Sequence, residues 1–472
     1  MLNTIDIDQH PTDSSAVCSD LSHLSAEAKA EARKMSEDLL DFLHHSPTAW
    51  QAVDNARKIL DQAGFKAYDP AENLRLQVGD KGYFIQNSSA ILAFRIGQNP
   101  LSNGFRIFGA HSDSPAFKVK PQAVAPSEGV IRLAVEVYGG PLLNTWFDRP
   151  LSLAGRVSLK SANPLQPEER LIDLQDPILI LPNLAIHMEN KSNEGQKIER
   201  QKDILPFLCL ENAADPADKQ ETKAGSQDFL KRILADRLAC KLDDILDYEL
   251  LTYEVNPPCF CGWEDTFISS GRLDNLSMFK AGLDALVSAS HQAPEAQAIQ
   301  VLLVTDNEEV GSRTKQGADS LWVRDLLERL IMSLGGDRED FLRAFPRSFM
   351  ISADLAHAVH PNYPEKADPG HRPRINGGPV IKQAASQSYA SDAKSCAVFR
   401  QLAQGAGIPC QTFINRSDMR GGSTIGPMSS SLLPMSTVDV GNPIWGMHSC
   451  RETGGSLDPY YMTEVIKYFF SL

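Results

Sequence analysis

Hydrophobic residues follow two different patterns along this chain of 472 residues. Near its start they recur at helical spacing, which predicts one helix over about 26–46 and a second over about 48–63. Elsewhere, besides a short predicted strand at 90–96, they form a run at 301–304 that is apolar at every position. Such runs are typical of strands in a parallel sheet whose two faces are both covered.

The middle of the chain has a different pattern. Between residue 118 and about residue 257, apolar and polar residues often alternate and turns are frequent, which predicts an antiparallel β domain. We therefore predict an α/β domain in two parts, residues 1–118 and 258–472, interrupted by an inserted β domain at 119–257. Neither flanking part has enough strands for a covered sheet, so we expect both to form one mixed, largely parallel sheet covered by helices.

Composition and charge argue against several classes of protein. The formal net charge of −14 is unfavourable for a nucleic acid or an anionic membrane as a partner, because each requires a basic face. The eight cysteines are scattered, unlike those of a disulfide scaffold. The first residues lack the features of a signal peptide, and no stretch has the roughly 18 apolar residues of a membrane span. We expect a reducing, cytoplasmic setting.

Acidic residues follow the apolar run at 301–304. Glu308 and Glu309 are adjacent there, and Gly311 stands where a turn would start. Ligand sites in open α/β sheets lie at the carboxyl ends of strands. Two adjacent carboxylates at such a position suit a metal site, since one can bind the ion while the other moves protons. An ordinary acidic loop between a strand and a helix is the alternative.

A histidine and an aspartate end another predicted strand, at 105–111. His111 could bind a metal through one ring nitrogen, while Asp113 could accept the N–H of the other nitrogen and fix the tautomer. A turn with a half-buried histidine is the alternative.

Three further residues offer metal-binding groups at strand ends or in loops: Asp274, Asp354 and His448. With His111 and Glu309 they form a set of two histidines and three carboxylates, which suits Zn²⁺, Co²⁺ or Mn²⁺ better than Ca²⁺ or an iron–sulfur cluster. One carboxylate could bridge two ions that activate a shared water, and Glu308 would then be the general base. For Asp274 by itself, a helix cap is the alternative.

Eleven short stretches occur in one order along the chain, and the resemblance that they carry extends from about residue 25 to its end. They are G-A-H-S-D-S-P, T-W-F-D-R with L-A-G-R-V, L-A-I-H-M, L-D-N-L, D-N-E-E-V-G-S, A-D-L-A-H-A-V-H-P-N, G-P-V-I-K with Y-A-S-D, T-I-G-P and G-M-H-S. Together they resemble the aspartyl aminopeptidase family, metallopeptidases that use two zinc ions to remove N-terminal residues from peptides. The stretch at 190–206 is similar to that of bacterial members.

The resemblance implies a zinc-exopeptidase-like fold, with the α/β domain catalytic and the inserted domain mediating dimerisation. It also implies two Zn²⁺ ions in each subunit, held by His111, Asp274, Glu309, Asp354 and His448. Asp274 would bridge the two ions, Glu308 would be the catalytic base, and Asp113 would orient His111.

The resemblance further implies which residues meet the peptide substrate: His357, Lys382 and Tyr389. A fourth, His187, would reach into the active site of a neighbouring subunit from the inserted domain. The family assembles from dimers into a tetrahedral dodecamer, so we expect self-association of this chain.

We therefore predict a metallo-aminopeptidase that favours peptides beginning with Asp or Glu, because Lys382 could pair with a side-chain carboxylate of the substrate. One alternative is a preference for neutral N-terminal residues. Another is a dinuclear amidohydrolase such as a carboxypeptidase or deacetylase. A third is a catalytically silent scaffold or cargo relative, which would lack a ligand or the base, whereas all six expected positions are filled here.

Overall fold

The computed structural model describes residues 24–472 except 191, 196, 212–227, 292–295 and 420. The sequence also predicts a polar tail at 1–24 and a polar loop at 211–225, and both lie almost wholly outside the described residues. The helices, numbered along the chain, are α1 (Ala26–His44), α2 (Ala49–Gln62), α3 (Pro100–Asn103), α4 (Ser192–Gly195), α5 (Phe229–Leu238), α6 (Leu273–Ser290), α7 (Trp322–Ser333), α8 (Arg338–Ala344), α9 (Ala393–Gly405), α10 (Ile425–Leu432) and α11 (Asp458–Ser471).

The strands form three sheets. They are β1 (Lys66–Ala67), β2 (Lys81–Gln86), β3 (Ala90–Arg95), β4 (Phe105–His111), β5 (Ala116–Ser127), β6 (Val130–Tyr138), β7 (Pro150–Leu159), β8 (Glu168–Asp173), β9 (Leu179–Ile180), β10 (Phe207–Leu210), β11 (Ile245–Glu254), β12 (Cys259–Cys261), β13 (Phe267–Ser270), β14 (Ile299–Thr305), β15 (Phe349–Ala353), β16 (Ala356–His357), β17 (Val380–Gln383), β18 (Gln411–Ile414), β19 (Ser436–Gly441), β20 (Pro443–Trp445) and β21 (Glu452–Gly455).

The central sheet has nine strands in the order β1-β2-β3-β14-β4-β15-β19-β17-β18. Its middle pairings, β14 with β4, β4 with β15 and β15 with β19, are all parallel. Strand β14 comes from the second part of the chain and lies between β3 and β4 from the first part. The prediction that two separate parts of the chain form one mixed, largely parallel sheet is therefore confirmed.

Helices cover both faces of this sheet, as the fully apolar run at 301–304 predicts. Alternate residues of β14 enter two separate cores: Leu302 and Val304 pack with residues of α1, α6 and α11, while Val301 and Leu303 pack with residues of α7 and α8. Because successive side chains of a strand point to opposite faces, a strand buried on both faces needs an apolar residue at every position.

The predicted antiparallel β region is a seven-stranded sheet in the order β11-β5-β6-β10-β9-β7-β8, and an additional pairing of β11 with β7 closes it on itself. It encloses a core of its own, which includes Phe117, Leu153 and Leu250. The boundaries of the inserted domain at 119 and 257 stay a prediction.

The sequence analysis did not predict the third sheet. It consists of five short strands in the order β12-β13-β21-β20-β16, and its strands β16 and β21 closely follow Asp354 and His448 along the chain. Strands of two to four residues leave too short a periodic pattern to be recognised. Among the described residues, no helix is long and apolar enough to cross a membrane.

Candidate metal centre

The central sheet brings most of the predicted metal-binding residues to one edge. His111 ends β4, Glu309 follows β14 and Asp354 follows β15. These three strands are neighbours and run parallel, so their carboxyl ends meet at the same place. Asp274 joins them from the start of α6, and His448 from the loop before β21.

The carboxylate of Asp274 lies between the two histidines. Its Oδ1 is 3.4 Å from Nε2 of His111, and its Oδ2 is 3.4 Å from Nε2 of His448. Each histidine also faces a second carboxylate, with His111 Nε2 3.5 Å from Asp354 Oδ1 and His448 Nε2 3.3 Å from Glu309 Oε1. The arrangement has two halves that share Asp274.

The surroundings of the Asp274 side chain favour a metal-binding role over that of a helix cap. Asp274 and Asn275 have non-helical backbone angles, and among the described residues no backbone N–H of α6 donates a hydrogen bond to the Asp274 side chain. The Asp274 side chain is 3% exposed and points into the histidine pair instead. The peptide bond that joins Asp274 to Asn275 is cis.

The distances between these nitrogen and oxygen atoms suit the binding of shared metal ions better than direct hydrogen bonds between the side chains. Separations of 3.3–3.5 Å between histidine nitrogens and carboxylate oxygens are long for hydrogen bonds. They match the roughly 3.3 Å that separates two ligand atoms when each lies about 2.0–2.1 Å from one tetrahedral zinc ion. Asp274 Oδ1 and Glu309 Oε1 are buried and accept no hydrogen bond from any described residue. A cation would satisfy both of these oxygens.

The electrostatics of the cluster also favour a bound cation. Burial raises the pKa of Glu308 to about 8, and the charges of Asp354 and Glu309 add to this rise. Burial likewise raises the pKa of Glu309 to about 7. Burial by itself would lower the pKa of His448, but contact with Asp274 and Glu309 outweighs it and raises that pKa to about 11. The carboxylates thus hold protons on the histidines, and a bound dication would displace these protons.

Asp113 holds the loop that carries the two glutamates. Its carboxylate accepts the backbone N–H groups of Glu308 and Glu309, each at 3.1 Å, and the hydroxyl of Tyr138 at 2.7 Å. The expected contact with His111 differs in detail. The ring Nδ1 lies 3.1 Å from the backbone carbonyl of Asp113 and 3.4 Å from its carboxylate, because the carboxylate faces the glutamate loop.

Lys382 and Tyr389 lie next to the metal-binding residues. The ammonium of Lys382 is 3.3 Å from Asp354 Oδ2 and 3.2 Å from the carbonyl of Leu355, and its side chain is 2% exposed. Burial lowers the pKa of Lys382, but the charge and hydrogen bond of Asp354, with Tyr389 and Asp439, together outweigh burial and raise this pKa above its ordinary value, so the side chain stays cationic. The ring of Tyr389 lies 5.2 Å from the ammonium.

The two remaining predicted residues have exposed side chains, but His357 lies close enough to the cluster for burial and the charge of Lys382 to lower its pKa. His357 ends β16 and is exposed on the wall of a cavity of about 290 Å³ that Phe413 and Arg416 also line. His187 lies in an exposed turn after β9, and no hydrogen bond or ion pair joins it to the cluster in the described part of the chain. A role for His187 in a neighbouring subunit stays a prediction.

Sequence reasoning missed two residues that support the centre. Glu452 is 2% exposed and accepts the backbone N–H groups of Asp274 at 3.0 Å and of His448 at 2.8 Å, so it holds two metal-binding residues at once. In the sequence, only its position four residues after His448 indicates this supporting role, and the indication is weak. Nothing in the local sequence of Tyr138 indicates its contact with Asp113, because that contact joins two sheets.

A covered, largely parallel sheet with a set of histidines and carboxylates at its carboxyl edge suits an enzyme that binds metal ions. The model of the Aminopeptidase I zinc metalloprotease (M18) family matches residues 42–470. A probable M18 family aminopeptidase 2 from Clostridium novyi is 49% identical over 441 residues, covering 93% of this chain and 99% of that protein. The protein with the same name from Stutzerimonas stutzeri is 42% identical over 443 residues, covering 93% and 98%.

Solved structures agree with this match. The structure of a complex of Ape4 and Nbr1 contains a chain that is 33% identical, with a TM-score of 0.90 over 95% of this chain and 87% of that chain. The S. cerevisiae mApe1 dodecamer gives a TM-score of 0.80 at 25% identity, over 93% of this chain and 97% of that chain. The chain belongs to the M18 family and is a zinc metallo-aminopeptidase, an enzyme that hydrolyses peptide bonds.

Proposed function

We propose that the enzyme holds two Zn²⁺ ions and removes the N-terminal residue of peptides, with preference for Asp or Glu. The observation that carries the two-ion proposal is the position of Asp274. Each of its two carboxylate oxygens faces a different histidine, and each histidine faces a carboxylate of its own. A single ion would not account for both halves, whereas two ions that share Asp274 would engage all five residues.

The charges of the residues fit this number of ions. Asp274, Glu309 and Asp354 would supply three negative charges as ligands, and His111 and His448 would bind as neutral rings. Two bound Zn²⁺ ions would lower the pKa of a water molecule and polarise the carbonyl of the scissile bond. Co²⁺ or Mn²⁺ would also fit a mixed set of nitrogen and oxygen donors.

Glu308 is suited to move the proton of that water. It follows the strand that supplies Glu309, and burial raises its pKa to about 8, which is close to neutral pH. In the proposed reaction the Glu308 carboxylate takes a proton from the attacking water and passes it to the nitrogen of the leaving amine as the C–N bond breaks. Asp113 fixes the backbone of this loop, because its carboxylate accepts the N–H groups of Glu308 and Glu309.

Lys382 supports the preference for acidic N-terminal residues. A lysine ammonium has three N–H donors, and here Asp354 and the carbonyl of Leu355 engage two of them. The third would pair with a substrate carboxylate, while a neutral side chain would leave it buried without a partner. The same two contacts favour the alternative of a neutral preference, because they give Lys382 a role in holding Asp354 that needs no acidic substrate.

Self-association belongs to the same proposal. His187 stands among exposed apolar side chains, Leu184, Ile186 and Met188, which are 47%, 45% and 74% exposed. A run of exposed apolar residues is typical of an interaction surface. We propose that the inserted domain forms dimers through this turn, that dimers build a dodecamer as S. cerevisiae mApe1 does, and that His187 completes a neighbouring site. Nucleic acid and membranes are not proposed as partners.

The setting is proposed to be cytoplasmic. The seven cysteines among the described residues are all free, which is typical of a reducing compartment.

Metal analysis combined with a substrate panel tests the proposal. The purified enzyme is expected to hold two zinc ions per subunit and to cleave Asp- and Glu-initiated peptides with a higher kcat/KM than Leu- or Ala-initiated ones. A higher kcat/KM for Leu or Ala would make the acidic preference wrong and leave the two-zinc proposal intact. One ion per subunit at full activity would contradict the bridging role of Asp274. Equal cleavage of N-acetylated peptides would favour the amidohydrolase alternative.

A further inference from the structure

A short segment leaves the seven-stranded sheet and crosses directly to the metal centre of the same subunit. It consists of residues 138–142, Y-G-G-P-L, which begin at the last residue of strand β6. None of these residues was predicted to have a functional role, and the proposed reaction above does not use them.

The first contact of the segment is the hydroxyl of Tyr138. It donates to Oδ2 of Asp113 at 2.7 Å and accepts from the side-chain amide of Asn307 at 2.9 Å. Asp113 in turn accepts the backbone N–H groups of Glu308 and Glu309. The phenol thus contacts the loop of the proposed base and a proposed metal ligand in two ways, directly through Asn307 and indirectly through Asp113.

The next contacts reach His448, the histidine that faces Glu309. The carbonyl of Gly140 accepts from Nδ1 of His448 at 3.2 Å, which leaves Nε2 of that ring to face Asp274 and Glu309. The backbone N–H of Leu142 donates to the carbonyl of His448 at 2.9 Å. Such contacts to the second ring nitrogen fix the tautomer and orientation of a metal-binding histidine.

Gly139 allows the segment to pass this close. Its φ of +72° lies in the left-handed region, and a Cβ atom at this position would lie only 3.1 Å from Cβ of Glu309. A side chain here would strain the backbone and push against a metal-binding residue.

We propose that residues 138–142 are a positioning element of the active site, through which the inserted domain sets the geometry of its own subunit's metal centre. The proposal rests on the proposed two-metal function. It differs from the role of His187, which concerns a neighbouring subunit. The segment holds the Glu308–Glu309 loop through Tyr138 and the ring of His448 through Gly140, so one element controls both the proposed base and the two residues, Glu309 and His448, that face each other in one half of the centre.

The variant Tyr138→Phe tests the first contact, because it removes only the hydroxyl. We expect kcat or zinc affinity, measured by competition with a chelator, to fall by about 10- to 100-fold, as is typical when a partner of a metal ligand is lost. KM should change less than about two-fold, since no residue of the segment is a proposed substrate contact. Tyr253→Phe is the matched control. Tyr253 lines the same cavity as Tyr138 and its hydroxyl also donates to an aspartate, but that aspartate, Asp173, is neither a proposed metal ligand nor a partner of one.

A second pair of variants tests the contact with His448. The φ of Leu142 is −73°, which proline can adopt, so Leu142→Pro removes the N–H donor without forcing this angle. Leu142→Ala shortens the same exposed side chain and keeps the N–H. We expect zinc affinity to be at least about 10-fold lower in the proline variant than in the alanine variant.

Falls smaller than about 10-fold in both kcat and zinc affinity for Tyr138→Phe, or equal falls in Tyr253→Phe, would overturn the proposal. A fall in melting temperature that accounts for lost activity without lower zinc affinity would do the same. Failure of the wild-type enzyme to hold two zinc ions would instead contradict the proposed function, and is visible before any variant is made.

Discussion

Asp274 illustrates how a single residue can decide between a structural and a catalytic account. Its position at the start of α6 resembles that of a cap, yet its two oxygens face two histidines. We expect Asp274→Asn to lower zinc content at both positions, because a neutral amide cannot balance the charge of two dications. Metal stoichiometry measured beside a melting curve checks this. For Asp274→Ala, unchanged zinc content with a loss of about 1 kcal/mol in stability would support the cap after all.

Glu308 and Glu309 are neighbours with different expected roles, so each serves as the control for the other. Glu308→Gln should abolish turnover and leave zinc content unchanged, because the amide has the same shape but cannot take a proton. Glu309→Gln should lower zinc content as well as turnover. The two roles are separated by metal analysis and single-turnover rates on one substrate. Near-normal activity of Glu308→Gln, or loss of both zinc ions from it, would contradict its role as the base.

Lys382 allows a test of substrate choice at the same scale. Lys382→Met removes the ammonium and keeps most of the buried chain. If the ammonium pairs with the substrate, the ratio of kcat/KM for Asp- over Leu-initiated peptides should fall by at least about 10-fold, because a lost buried charge pair is worth more than about 1.4 kcal/mol. An unchanged ratio with lower activity on both peptides would indicate that Lys382 acts through Asp354 instead.

At the scale of elements, β14 carries the glutamate loop and depends on both cores. Leu302 is fully buried in this strand, while Leu342 on α8 is 42% exposed. Leu302→Ala should lower the free energy of unfolding by about 2–5 kcal/mol, because a cavity in a packed core collapses only partly. Leu342→Ala should change it by less than about 0.5 kcal/mol. Denaturant unfolding of both variants measures the difference, and equal effects would show that β14 does not anchor the fold.

At the scale of the whole molecule, we expect activity to depend on the association of subunits. If His187 completes a neighbouring site, His187→Ala should lower activity while zinc content and the melting temperature stay unchanged, because the residue lies in an exposed turn. Diluting the wild-type enzyme below the concentration at which it dissociates should have the same effect. Sedimentation velocity and activity measured on the same samples test both statements, and a fully active monomer would contradict them.

The sequence by itself predicted the fold class, which the structure confirms, and the candidate residues of a metal centre. Periodicity is a local property, so the apolar runs predicted strands such as β4, β14 and β15 without knowledge of their neighbours. Polar residues directly after buried strands then identified His111, Glu309 and Asp354, since the carboxyl ends of parallel strands share one edge. The metal-binding roles themselves stay predictions.

Only the tertiary structure decided how these residues are held. Strand β14 lies between β3 and β4, and this order has no signal in the sequence of any one strand. Glu452 and Tyr138 support the centre through contacts with residues far from them along the chain, 178 residues apart for Glu452 and Asp274 and 169 for Tyr138 and Asn307. Pairing over such separations depends on how complete elements pack, which local patterns of hydrophobic and polar residues do not encode.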